Sequence, residues 1–334
     1  MMERRQDIDL LKGFGILLMV FNHIGWGRMV HIYIQSFHMP LFFIVSGYLW
    51  KQRAATDLSR KRQKSLLLPY GVFAFLYFVI AAVFNIAKNG DFQAAEAAKA
   101  VLLFPTDNAH MPISPALWFL PCMFLTSLIY AVLGKLSLGK KSVVILAAAV
   151  AGAVYSGLSD YMLPFCIEPT AAALLFMLVG EWIHRRCVDE KLLSKWYYIV
   201  GLLCIHALLA FINGSVDMRT ARFHFVPLYY LNGVLGTLAF WGIAKTILRI
   251  FNLGRVRGFL LNELQIIGHY SIVCLCSHQL FILILKDQFD NLLRSGTLYR
   301  AVFQLLIYIV VLVLCRVLVA LCKRNRLVQF AFGL

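Results

Sequence analysis

The sequence predicts an all-α integral membrane protein, a bundle of about ten transmembrane helices with both termini cytoplasmic. Four observations carry that prediction. Of the 334 residues, 61% are hydrophobic and 14% charged, and mean hydropathy is +0.76. A soluble domain is nearer half apolar and about a quarter charged. The excess lies in apolar runs of roughly 18–22 residues, long enough to cross a hydrocarbon layer of about 30 Å. Most runs are apolar on every face, whereas a soluble bundle needs striped helices. Lys and Arg cluster between the runs, as a topology signal does.

Taken in order, the runs give spans at 8–25, 31–50, 66–87, 115–134, 142–157, 168–184, 196–213, 224–245, 264–285 and 299–322, the fifth being short. The first retains Lys12 and His23 and lacks a small-residue cleavage site, so it reads as an uncleaved span rather than a signal peptide. No linker or low-complexity stretch divides the chain, and residues 1–334 read as one domain.

Orientation follows from the basic residues. With the N-terminus inside, the inner segments hold Arg4, Arg5, Lys51, Arg53, Arg60, Lys61, Arg62, Lys64, Lys135, Lys140, Lys141, Arg185, Arg186, Lys191, Lys195, Lys245, Arg249, Arg255, Arg257, Lys323, Arg324 and Arg326. The outer segments hold Arg28, Lys88, Lys99, Arg219, Arg222, Lys286, Arg294 and Arg300. About 22 against about 8 satisfies the positive-inside rule. The same distribution turns the net charge of +16 away from nucleic acid, and no phosphate-binding loop, zinc-type Cys/His spacing or RNA-binding motif accompanies it. The eight cysteines form no CxxC and sit mostly inside apolar runs, as small hydrophobes. The outer loop 88–114 is polar, and serves either as cover for a site or as a plain connector.

Ionisable groups at membrane depth are costly and mark candidate functional positions. The first span holds Asp9, Lys12, Asn22 and His23. Eleven residues separate Lys12 from His23, which returns to within about 20° of one helix face and separates them by roughly 16 Å along the axis. Lys99/His110 and Lys195/His206 share that interval, so spacing alone decides little. What sets the first pair apart is company: His38, at the outer end of the second span, and His278, in the outer half of the ninth, converge on the depth of His23. Each also has a plainer reading. An intramembrane histidine can be an interhelical hydrogen bond, Lys12 can snorkel inward, and Asp9 can neutralise Lys12 three residues on. His206 and His269 take the plainer reading.

The stretches Asp9-Leu10-Leu11-Lys12-Gly13, His23, Phe37-His38-Met39-Pro40-Leu41-Phe42-Phe43 and Ser46-Gly47-Tyr48 resemble the acyltransferase-3 family of membrane O-acyltransferases, nearest its fucose 4-O-acetylase-like branch. Leu66-Leu67-Leu68-Pro69-Tyr70, Leu117-Trp118-Phe119-Leu120, Leu178-Val179-Gly180 and Ile267-Gly268-His269-Tyr270-Ser271 follow in order, so the resemblance covers essentially the whole chain. The family's basic-x10-His motif maps onto Lys12 and His23, with Lys where many members carry Arg. The C-terminal hydrolase-like domain of many members is not expected here.

The resemblance implies acetyl-CoA as co-substrate with no resident cofactor or metal. It further implies a surface polysaccharide or lipid-linked glycan as acceptor, and a site in a bacterial inner membrane. Lys12, with Arg62 and Lys64, would hold the anionic donor. His23 would be the general base or a transient acyl carrier. His38 would orient it or stabilise the oxyanion, with Ser46 as a further donor. Asn22 and His278 would face the acceptor; Trp118 and Phe119 would line the sugar or acyl pocket or belong to the lipid-interface aromatics. The alternative is a transporter or flippase for an anionic or glycolipid substrate, whose usual internal repeat is not evident between the two sets of five spans.

Overall fold

In lipid every backbone N–H and C=O must be satisfied within the segment, so an apolar run becomes a helix. The computed structural model describes residues 5–52, 54–87, 90, 92–193, 195–251, 258–289 and 297–334. Arg4, Arg53, Lys88, Arg255, Arg257 and Arg294 of the topology signal lie outside the described residues.

The helices are α1 (Gln6–Ile24), α2 (Arg28–Gln35), α3 (His38–Tyr48), α4 (Ala55–Arg62), α5 (Leu68–Ala87), α6 (Ala94–Leu102), α7 (Phe119–Leu133) and α8 (Leu138–Leu158). They continue with α9 (Ile167–Arg186), α10 (Val188–Leu192), α11 (Trp196–Asn213), α12 (Val226–Phe251), α13 (Phe259–His269), α14 (Ser271–Gln288), α15 (Thr297–Arg324) and α16 (Arg326–Ala331). A two-residue hairpin, β1 (Val216–Asp217) against β2 (Arg222–Phe223), closes the turn between α11 and α12. Among the described residues, eight helical stretches are long and apolar enough to span a membrane, and the bent pair α13–α14 makes a ninth. The 19-residue α1 is the remaining one of the ten expected; Asp7, Asp9 and Lys12 place three charged residues within its length. It is enclosed in the bundle, packed by α3, α12, α13, α14 and α15. Helices such as α8 and α15 instead turn Val150, Val154, Val313 and Val317 outward, as lipid-facing surfaces do.

Three spans depart from their simplest sequence reading. The fifth runs over Leu138–Leu158 rather than 142–157. It takes in Lys141, which is buried and hydrogen-bonded to Glu181 of α9, and Tyr130 of α7 bonds the same carboxylate. A paired lysine can enter a helix that a hydropathy window cuts short. The second span is broken at Ser36–Phe37, between α2 and α3, so His38 opens a helix of its own. The ninth is not straight: α13 and α14 meet at 91° around Tyr270. The cause is a close helix crossing. A Cβ on Gly13 would strike the Leu264 carbonyl, and one on Gly268 the Asp9 carbonyl, so paired glycines let α13 lie against α1.

The end bearing the N-terminus, the inner end, is tied by a buried ion cluster. Asp189, 1% exposed, accepts from Lys245 Nζ at 2.7 Å and from Tyr48 Oη at 3.2 Å, and lies 3.5 Å from Arg5. Asp7 accepts from Arg5 at 2.8 Å and from Trp241 Nε1 at 2.8 Å. Asp189→Ala leaves Lys245 without its carboxylate, with an expected loss of about 3 kcal/mol. A lowered melting temperature in detergent, followed by thiol-reactive dye uptake at the buried cysteines, would report it; an unchanged melting curve would count against this cluster as a tie.

Candidate active site

One face of α1 carries residues at helical spacing, and two cavities open along it. The inner cavity, about 380 Å³, takes Lys12 and Ile16 from α1, with Lys51, Lys61 and Arg62 around its mouth. The outer cavity, about 400 Å³, takes Met19, Asn22 and His23 from the same face. Met39 of α3 and Leu275 of α14 line both. The two spaces are therefore back to back, one cationic and one rich in histidine, with a methionine and a leucine between them.

The residues singled out in the sequence distribute unevenly. Lys12, Ser46, Arg62 and Phe119 line the inner cavity; Asn22, His23, His38 and Trp118 line the outer one. Trp118 and Phe119 are adjacent in sequence but serve different cavities. Ser46 thus lies with Lys12 rather than beside His23. Lys64 is exposed and lines neither. His278 is fully buried behind His23, their ring centroids 5.1 Å apart. Lys12 Nζ lies 3.4 Å from Asp9, and His269 approaches the same carboxylate at 4.0 Å. His206 is buried between Tyr33 and Phe37 with Nδ1 2.8 Å from the Asn232 amide, a structural placement.

Hydrogen bonds fix the histidine faces. His38 Nδ1 lies 2.9 Å from the Ile34 carbonyl, so it carries the proton and Nε2 keeps the lone pair. His278 Nδ1 likewise donates to the Cys274 and Leu275 carbonyls, at 2.9 and 3.0 Å. His23 differs. Its Nδ1 is 3.3 Å from Nε2 of Gln279. The amide cannot turn round at no cost, because its oxygen accepts the Ala116 N–H at 3.1 Å. Gln279 therefore donates to His23 Nδ1, and the neutral imidazole carries its proton on Nε2. His31 Nδ1 donates to Asn22 Oδ1 at 3.2 Å, adding a fourth histidine to this end.

Gln279, His31, Asp217 and Arg219 of the outer cavity were not singled out in the sequence as site residues, whereas Asn108 lies in the 88–114 loop read there as either cover for a site or a connector. Gln279 had a readable signal, a polar residue directly after His278 inside an apolar span. Asp217 and Arg219 had none, since the hairpin turn reaches the site only in three dimensions. Among the described residues no three His, Cys, Asp or Glu side chains are placed to hold a metal ion.

A family model described as an acyltransferase domain matches residues 5–322. The chain belongs to the acyltransferase-3 family. Searches of curated proteins and of solved structures gave no match. As a multi-pass membrane acyltransferase, the molecule needs a place for an acyl donor, a place for an acceptor and a path for the acyl group between them. Along α1 lie two cavities that share Met39 and Leu275 in their walls.

Proposed function

We propose that this acyltransferase moves an acetyl group from acetyl-CoA, bound at the inner cavity, to a hydroxyl of a surface polysaccharide or lipid-linked glycan at the outer cavity, in a bacterial inner membrane. The observation that carries the reading is the shared wall of Met39 and Leu275 between a cationic and a histidine-lined space. Lys12, Lys51, Lys61 and Arg62 suit the phosphates of the donor. The thioester arm would pass between Met39 and Leu275, two flexible apolar side chains that suit an acyl chain.

The hydrogen bonding favours the reverse of the histidine roles drawn from the resemblance. His38 Nε2, with its lone pair, is the general base that takes the proton of the sugar hydroxyl. The hydroxyl oxygen attacks the thioester carbonyl, and His23 Nε2–H donates to the oxygen that becomes negative. Collapse of the tetrahedral intermediate breaks the C–S bond and expels the CoA thiolate, which takes a proton at the inner side. Gln279 and His278 hold His23 in place.

Transfer of radiolabel from acetyl-CoA to de-esterified polysaccharide by purified protein tests the reading. Lys12→Ala is expected to raise KM for acetyl-CoA about tenfold, as loss of a charge-assisted contact does, with a smaller effect on kcat. Unchanged KM would remove Lys12 from the donor site. The broken spans at Ser36–Phe37 and Tyr270 also suit a transporter, whose substrates bind at helix breaks; a transporter would leave acetyl-CoA unconsumed in the same assay.

A further inference from the structure

Beside the outer cavity lies another of about 350 Å³, bounded by the outer ends of α8 and α9, the segment 159–162 and the β1–β2 hairpin. Asp217 and Arg219 line both, so the two are neighbours across a single wall. Its volume is within the range of small-ligand sites.

The polar groups in it are incompletely used. Glu168 is 6% exposed; one carboxylate oxygen accepts the Leu163 N–H, and the other has no partner. Ser156 Oγ, on α8, is also buried without a partner. A buried polar atom left unpaired costs free energy that a ligand's hydrogen bond would recover. The remaining charges are already paired. Arg222 bonds Asp160, and Arg219 holds Asp217 at 2.9 Å and the Thr106 carbonyl at 2.6 Å. An anionic ligand would therefore meet the unpartnered Glu168 oxygen and be repelled, whereas sugar hydroxyls would donate to it. Tyr161, 68% exposed at the rim, offers a flat face to an apolar sugar face.

We propose that this cavity is a second glycan subsite, so that the acceptor is engaged as a chain of at least two neutral sugar residues. The residue to be acylated occupies the histidine cavity, and its neighbour sits across the Asp217–Arg219 wall against Glu168, Ser156 and Tyr161. This rests on the outer cavity being the acceptor site.

The test uses full-length protein in lipid nanodiscs. Its probes are de-esterified surface polysaccharide of the producing cell, cut to fragments of one, two and four residues. Binding is read by saturation-transfer NMR and acyl transfer by radiolabel. The two-residue fragment is expected to bind roughly tenfold more tightly than the one-residue fragment. Glu168→Gln keeps an oxygen for the Leu163 N–H, and Tyr161→Ala alters an exposed ring; each should raise the Kd of the two-residue fragment about tenfold. Equal binding of one- and two-residue fragments would overturn the subsite, as would variants without effect on the longer one. Length-dependent binding without transfer to any fragment would leave the subsite standing and overturn the acyl-transfer reading instead.

Discussion

His38→Gln is expected to lower kcat by about three orders of magnitude, the usual range for losing a general base. His23→Gln is expected to retain a few per cent, a loss nearer tenfold to a hundredfold. The asymmetry comes from what glutamine can do. Its amide can donate a hydrogen bond to a developing oxyanion but cannot accept and hold a proton. If His38 is the base, its replacement removes the step; if His23 is the donor, its replacement keeps an N–H in roughly the same place. The opposite ranking would return the base to His23 and require Gln279 to release Nδ1 during turnover. Gln279→Glu gives a check on the same point, because a carboxylate would accept from Nδ1–H and push the lone pair of His23 to Nε2. Initial rates at saturating donor, with protein abundance measured by blot, decide between the two.

The second large effect is expected at a helix crossing. Gly180→Leu should abolish accumulation of folded protein, and Gly47→Leu should do the same. A Cβ on Gly180 would strike the Ile44 carbonyl, and one on Gly47 the Met177 carbonyl, so α3 and α9 touch backbone to backbone from both sides. No rotamer change relieves a clash with a main chain. The helices must separate, which takes α3 away from both cavities it lines with Met39, Phe42 and Ser46. Size-exclusion profiles of fluorescent fusions in detergent would report the loss; a monodisperse peak at wild-type abundance would mean that the crossing is looser than described. Gly71→Leu is the control, since nothing lies within 4 Å of a Cβ there.

These crossings explain what could be read from the sequence and what could not. Ser46-Gly47-Tyr48 and Leu178-Val179-Gly180 stood out as two separate stretches, as did Lys12-Gly13 and Ile267-Gly268-His269. Each pair turns out to be the two halves of one contact, α3 with α9 and α1 with α13. Small residues were visible in one dimension, but their pairing is a property of the packed bundle. Span number was legible because apolar length is written directly into the chain. The 91° elbow at Tyr270 was not, because hydropathy is the same on both sides of a bend. The His23–His38 juxtaposition was legible from depth alone, since both sit near outer helix ends. Their tautomers were not, because these depend on the Ile34 carbonyl and on a Gln279 amide oriented by Ala116.

The central claim is that donor and acceptor occupy opposite ends of α1 and exchange the acyl group past Met39 and Leu275. Protein reconstituted in one orientation into sealed liposomes tests it, with radiolabelled acetyl-CoA enclosed at the Lys12 end and de-esterified polysaccharide at the His23 end. Alkali-labile label on the polysaccharide, absent with His38→Gln, is the expected result. Label that appears only when donor and acceptor share a compartment would contradict it.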